Sequence, residues 1–219
     1  MNNDTRIKIV EKPDWVSWDD IKQCLFEAHS VNRAKGINMA HYQWPSEKIK
    51  QSLGEKGFML VALDGDKLVG TAGIGEKFGN KWYVKGRYAY ECYASVLPEY
   101  AGKGIYKMLE IRREEKAKEE GYDVLIGDTH SKNSHLIEIK LKNGFKLVRF
   151  FRAASKDHYN VAIAKWLNEC PFSDGFIRKQ FLISKVLTKI QFKNSGQERG
   201  PIFTKICNRL RKSILGINK

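Results

Sequence analysis

The sequence predicts an α+β (mixed α/β) protein: a central mixed β-sheet flanked by helices, with a basic helical extension at its C-terminal end. Three observations predict it. The apolar runs Phe58–Leu63 and Lys67–Ile74 are joined by Asp64-Gly65-Asp66, and Asp-Gly between two such runs is a strong short-range hairpin signal. Further along, strand-like and helix-like patterns alternate, so strand–helix–strand crossovers stand beside the hairpin and a mixed sheet results. From Pro171 onward the pattern becomes basic and amphipathic.

Arg6–Glu11 alternates apolar and polar residues and reads as the first strand. Ser17 then caps a helix whose first turn carries Asp19 and Asp20, with Ile21, Cys24, Leu25 and Ala28 at helical spacing. Ser46 opens a short second helix that Gly54 closes. After the hairpin, the Tyr-rich Trp82–Val96 reads as a long strand, and the loop Leu97–Gly104 leads into a helix ending near Gly121. Tyr122–Gly127 is a strand, Asn133–Lys142 a helix, Gly144–Arg152 a strand and His158–Leu167 the last strand. The order is β-α-α-β-β-β-α-β-α-β-β.

The chain has 219 residues, enough for one full domain with an appendage. With 42% hydrophobic and 11% aromatic residues it can build a packed core, which excludes wholesale disorder. No stretch approaches the ~18 apolar residues of a membrane span, and the opening MNNDTRIKIVEK lacks the apolar run of a secretory signal. Cys24, Cys92, Cys170 and Cys207 form no CxxC pair, and the histidines have no metal-ligand spacing. A reducing, cytoplasmic protein without a metal is expected. The formal charge is +14, and +9 of it lies from Pro171 to Lys219, where eleven Lys or Arg meet two acids. The basic character therefore belongs to the tail more than to the domain.

The chemistry concentrates between Ser95 and Ala117. An apolar strand stops at Pro98, a loop with Gly102 and Gly104 follows, and an amphipathic helix begins at Ile105. Glycines let a backbone approach a ligand closely. The first-turn N–H groups of a helix lack internal partners and sit at the positive end of its dipole, which suits a pyrophosphate. Glycine spacing by itself is equally compatible with an ordinary strand–loop–helix connection.

Two blocks narrow the choice. Val96-Leu97-Pro98 followed by Ala101-Gly102-Lys103-Gly104-Ile105-Tyr106 resembles the GCN5-related N-acetyltransferase (GNAT) family, in which V-x-P leads to Q/R-x-x-G-x-G/A. Gly104 stands at the first motif glycine, Ala101 at the usual Gln or Arg, and Tyr106 at the last Gly or Ala. Downstream, Asn133 to Phe145 resembles the family pattern N-x-x-A-x-x-L-Y-x-K-x-G-F, matching at Asn133, Lys142, Gly144 and Phe145, with Lys140 where the family often has Tyr. The resemblance spans roughly Arg6 to Leu167.

The resemblance implies a GNAT-like acyl-CoA-binding domain over residues 1–168 and an extension over 169–219. It implies an N-acyltransferase that moves an acetyl or other acyl group from acetyl-CoA, its co-substrate, to a primary amine of a small molecule or amino sugar. It carries the coenzyme onto Ala94, Ser95, Val96, Gly102, Lys103, Gly104, Ile105, Tyr106, Lys107 and Asn133. Glu91 and Asp128 are the competing general bases, each otherwise an ordinary strand or turn acid; His130 is a relay to Asp128 or a structural histidine. Lys140 is either a proton donor to the leaving thiolate or an exposed helix lysine.

Asn32–Gly36, His41–Trp44 and Tyr88, Tyr90 and Tyr93 are acceptor-side aromatic and polar groups, or else packing groups. The tail, Phe176–Phe192 and Ile202–Ile217, reads as two basic amphipathic helices. Packing on their own domain or on a second copy, as in a homodimer, is one reading; a membrane surface or an anionic substrate is another, with nucleic acid less favoured. A non-catalytic acyl-CoA-binding module, or an adaptor acting through the tail, are the alternatives to an enzyme.

Overall fold

In the computed structural model of the protein, residues 7–36, 43–76, 84, 86–152, 158–191, 205–207 and 209–210 are described. They fall into two units, Met1–Gly79 with Arg87–Leu125, and Asn80–Gly86 with Ile126–Lys219.

The first unit is built around the expected hairpin. β2 (Phe58–Asp64) and β3 (Lys67–Gly75) pair antiparallel across Asp64-Gly65-Asp66. β1 (Lys8–Glu11) adds to β2 and β4 (Tyr88–Val96) to β3, both antiparallel, in the order β1-β2-β3-β4. β2 is buried from Phe58 to Leu63, as its unbroken apolar run requires when both faces are covered. Met59, Val61 and Leu63 join Ile21 and Leu25 of α1 (Trp18–Ala28) and Ile49 and Leu53 of α3 (Ser46–Leu53) in one core cluster. Helix α4 (Ile105–Glu119) packs on the hairpin too, and the Leu109 methyl lies 3.3 Å from where a Cβ on Gly70 would stand.

Helix α1 begins with the capping box that Ser17 foretells: Asp20 N–H donates to Ser17 Oγ (3.1 Å) while Ser17 N–H donates to the Asp20 carboxylate (2.8 Å). A short α2 (Ser30–Ala34) follows it, an element absent from the expected order. Gly54 ends α3 at φ 78°. Between α3 and β2, a Cβ on Gly57 would lie 2.2 Å from Leu53 O and 2.7 Å from Ile74 O. Gly57→Ala should therefore lower stability by about 1–3 kcal/mol, the usual cost of forcing a methyl into a filled site. An unchanged urea midpoint would show that the backbone yields at no cost.

The second unit takes β5 (Val124–His130) from Ile126 onward, α5 (Ser134–Lys142), β6 (Lys146–Arg152), β7 (Tyr159–Trp166) and α6 (Asp174–Gln191). Its strands run β5-β7-β6, with β6 and β7 antiparallel. β5 extends past the expected Gly127 to His130. β6 ends the order, and α6 lies along it. Gln180 Nε2 donates to Val148 O (3.0 Å), Phe150 N–H donates to Ser184 Oγ (2.8 Å), and Thr188 Oγ1 donates to Phe150 O (3.1 Å).

Strands and helices thus alternate as the mixed α/β expectation has it. Among the described residues of the expected Trp82–Val96 strand, Tyr88–Val96 is strand, and Trp82, Tyr83 and Lys85, like His41 and Tyr42, lie outside the described residues. Of Ile202–Ile217, the described residues Lys205–Cys207 and Arg209–Leu210 are helical, and the remainder lies outside. The apolar residues of α6 divide between two faces. Ile177 and Leu187 are buried, but Leu182, Val186 and Ile190 are exposed. The inner positions go to Gln180, Ser184 and Thr188, because β6 presents main-chain groups to be satisfied rather than an apolar surface.

Candidate functional site

The stretch carrying the candidate coenzyme residues starts at a distortion in β4. Thr71 pairs with Ser95 but Gly73 pairs with Cys92, so β4 holds one extra residue around Tyr93 and Ala94. Tyr93 takes φ 52°, a left-handed value costly for a bulky residue. Its neighbours hold it there. Thr71 Oγ1 donates to Tyr93 O (2.6 Å) and lies 2.7 Å from Ser95 Oγ, while the Tyr93 hydroxyl is 2.5 Å from Ser52 Oγ. Burial pushes the Tyr93 phenol up to about 12. Such a bulge re-aims the main chain of Ala94, Ser95 and Val96. Pairing ends as Leu97 N–H donates to Val69 O (2.9 Å), and Pro98 starts a 3-10 turn, Pro98–Tyr100.

The loop beyond it has the form of an anion cradle. Gly102 and Gly104 both take φ 77°, both are exposed, and a Cβ on either would meet nothing within 4 Å. Gly104 is the N-cap of α4 and has no side chain to close it. The first bond of the helical ladder is Met108 N–H to Gly104 O (3.1 Å), so Ile105, Tyr106 and Lys107 supply first-turn N–H groups at the positive end of a 15-residue helix. Lys103 and Lys107, both exposed, add charge. Tyr106 does not crowd this cradle: its hydroxyl is buried, and burial, then the Glu110 carboxylate, raise its phenol well above the ordinary value. The donor set fits a diphosphate group.

Beneath β4 and α4 lies a buried charge cluster that the sequence does not announce. Arg113, 1% exposed, pairs with Glu91 (Nη2 to Oε1, 2.9 Å) and with Glu110, and its Nη1 donates to Gly73 O (3.4 Å). The Glu91 side chain is 5% exposed and the Glu110 side chain 8%. Glu110 and Arg113 are spaced i, i+3 on α4, a signal readable in the sequence, but Glu91 joins them only through the fold.

The remaining candidates belong to the second unit. Asp128 is half-buried on β5 and accepts from Asn160 Nδ2 (2.9 Å). His130 is buried, its Nδ1 accepts from Lys132 N–H (3.0 Å), and its ring stacks on His158 with centroids 4.6 Å apart. Asn133 caps α5, its side chain accepting from Leu136 N–H (3.4 Å). Lys140 is not the exposed helix lysine its residue type suggests. It is 3% exposed, with Nζ 4.3 Å from the Phe145 ring centroid, a cation–π contact. Among the aromatic candidates, Tyr93 is buried in the first unit's core, and Trp44 packs against that core with Lys48 over its ring (4.4 Å). Sequence reasoning missed Arg113 and Glu110 beside Glu91 in the first unit, and Asn160 beside Asp128 and His158 beside His130 in the second.

The pattern of the acetyltransferase (GNAT) family matches residues 18–145. Solved structures agree on the fold. An acetyltransferase of the GNAT family from Staphylococcus aureus superposes with TM-score 0.58 at 18% identity, over 74% of this chain and 99% of its own. The PaiA N-acetyltransferase from Thermoplasma acidophilum, in complex with coenzyme A, gives 0.56 at 20% identity, over 73% and 98%. The Escherichia coli N-acetyltransferase for a ribosomal-protein alanine gives 0.58 at 13%, over 75% and 96%. No curated protein matches the chain.

Proposed function

This chain belongs to the acetyltransferase (GNAT) family, and on that footing we propose that it is an N-acyltransferase moving an acetyl or other acyl group from acyl-CoA to a primary amine by direct attack in a ternary complex. The observation that carries the reading is the pair of left-handed, open glycines, Gly102 and Gly104, at the uncapped start of α4. Gly102, Lys103, Gly104 and the first-turn N–H groups of Ile105, Tyr106 and Lys107 take the pyrophosphate. The re-aimed main chain of Ala94, Ser95 and Val96 takes the acyl-bearing arm and offers an N–H to the thioester carbonyl.

Positioning supplies most of the rate in such a transfer. The amine nitrogen forms a bond to the acyl carbon as the carbon–sulfur bond breaks, and the amine proton must go to a base. Asp128 is assigned that role, because it is half-buried on β5 and accepts from the neutral Asn160 Nδ2, whereas Glu91 is held against the buried Arg113 guanidinium. Asn133 contributes by fixing the start of α5 after β5. A thiolate with a free pKa of about 8.5 leaves with little help, so Lys140 acts by packing rather than as an obligatory acid.

Gly104→Leu tests the cradle. It puts a side chain into the open space and strains φ 77°, so KM for acetyl-CoA should rise about tenfold or more with kcat for a given amine less affected. An unchanged KM would remove the loop from coenzyme binding. If acetyl-CoA at millimolar concentration gave neither heat nor a shift in melting temperature, the enzymatic reading would fail.

A further inference from the structure

Helix α6 meets its own unit through a partly polar face. Gln180, Ser184 and Thr188 are buried toward β6, flanked by Ile177 and Leu187. The opposite side carries Leu182, Val186 and Ile190, spaced i, i+4, i+8 in one row and exposed at 53%, 56% and 42%. Arg178, Lys179, Lys185 and Lys189 are exposed around that row. The one acid of the helix, Asp174, lies in its first turn and pairs with Lys146 Nζ (2.5 Å). No described helix is long and apolar enough to cross a membrane, so any lipid contact of this surface is peripheral.

We propose that the outward face of α6 docks on an anionic lipid bilayer. The helix lies flat in the interface, with Leu182, Val186 and Ile190 at the headgroup–acyl boundary and its four cations against lipid phosphates. Charge complementarity selects this occupant. An apolar row rimmed by four cations repels a symmetric second copy of itself. The chain's own residues 192–219 carry seven Lys or Arg and one acid, so they bring like charge as well. The described part of that segment continues the pattern, with Ile206 and Leu210 exposed beside exposed Lys205 and Arg209.

The test is co-sedimentation of the full chain with vesicles of phosphatidylcholine alone or with about one-third phosphatidylglycerol. The protein should pellet with the anionic vesicles, stay in solution with the neutral ones, and be released at high salt. Leu182→Asp with Val186→Asp should abolish binding. Lys185→Gln with Lys189→Gln should weaken it by about fivefold for each cation removed. Both pairs point outward and should leave the melting temperature and acetyl-CoA turnover unchanged. The proposal is overturned if wild-type protein ignores anionic vesicles at low salt, or if the aspartate pair binds as well as wild type. It is equally overturned if the protein is a dimer that Leu182→Asp dissociates. Faster proteolysis of residues 192–219 in the aspartate variant, with vesicle binding intact, would assign the face to the chain's own tail instead.

Discussion

Asp128→Asn should lower kcat by about 10²-fold or more while KM for acetyl-CoA stays within about twofold. A primary alkyl amine has a pKa near 10.4 and is almost wholly protonated at neutral pH. The transfer therefore depends on a group that takes a proton from the ammonium, freeing the nitrogen lone pair before it attacks the thioester carbon. Asn keeps the size of Asp128 and can still accept from Asn160 Nδ2, now 2.9 Å away, so the local structure should persist while basicity is lost. Single-turnover rates with one amine would measure the effect. Glu91→Gln is the matched control: its kcat should change little beyond what its altered stability explains. If Glu91→Gln takes the 10²-fold loss and Asp128→Asn does not, the base is Glu91. If neither loses activity, neither of these carboxylates is the base.

The largest stability effect should follow Arg113→Met. Arg113 is a buried cation with Glu91 2.9 Å away and Glu110 also bonded to it. Removing one partner of a buried ion pair costs about 3–5 kcal/mol, because the charge left behind has neither water nor a counterion. Here two carboxylates are left behind. For a chain of this length that loss corresponds to a fall in melting temperature of roughly 10 °C. Adding Glu91→Gln and Glu110→Gln should recover part of the loss, since a neutral cluster no longer buries unmatched charge. A melting temperature unchanged within about 2 °C would mean that water reaches the cluster and solvates the carboxylates.

Elements marked by local chemistry were legible in the sequence. The Asp64–Asp66 turn, the Ser17 cap, Gly54 and Gly121 as helix terminators and the loop from Pro98 to Gly104 each depend on neighbours a few residues apart. What depended on distant partners was not legible. The bulge at Tyr93 is fixed by Thr71 and Ser52, and the burial of Glu91 by Arg113, which lies two elements later. Lys140 was open to reading as an exposed lysine because lysines usually are, and its residue type says nothing of the Phe145 ring beside it. Helix α2 follows α1 after a single residue, His29, without a capping side-chain bond to announce it. For α6 the periodic pattern was legible and the face turned inward was not, since a hydrophobic count cannot foresee that strand β6 needs hydrogen-bonding side chains.

That rotational setting of α6 ties together two properties that are usually adjusted separately. A terminal strand with bare amides and carbonyls at 148 and 150 invites strand-by-strand growth into larger aggregates, and three side chains of α6 occupy those groups. Rolling the helix by roughly half a turn would hide its oily ridge but strip this guard from the strand. The greasy exterior is thus the counterpart of a sealed border. Sequence drift can blunt the ridge without harm to the fold, whereas drift at Gln180, Ser184 or Thr188 would reopen the border.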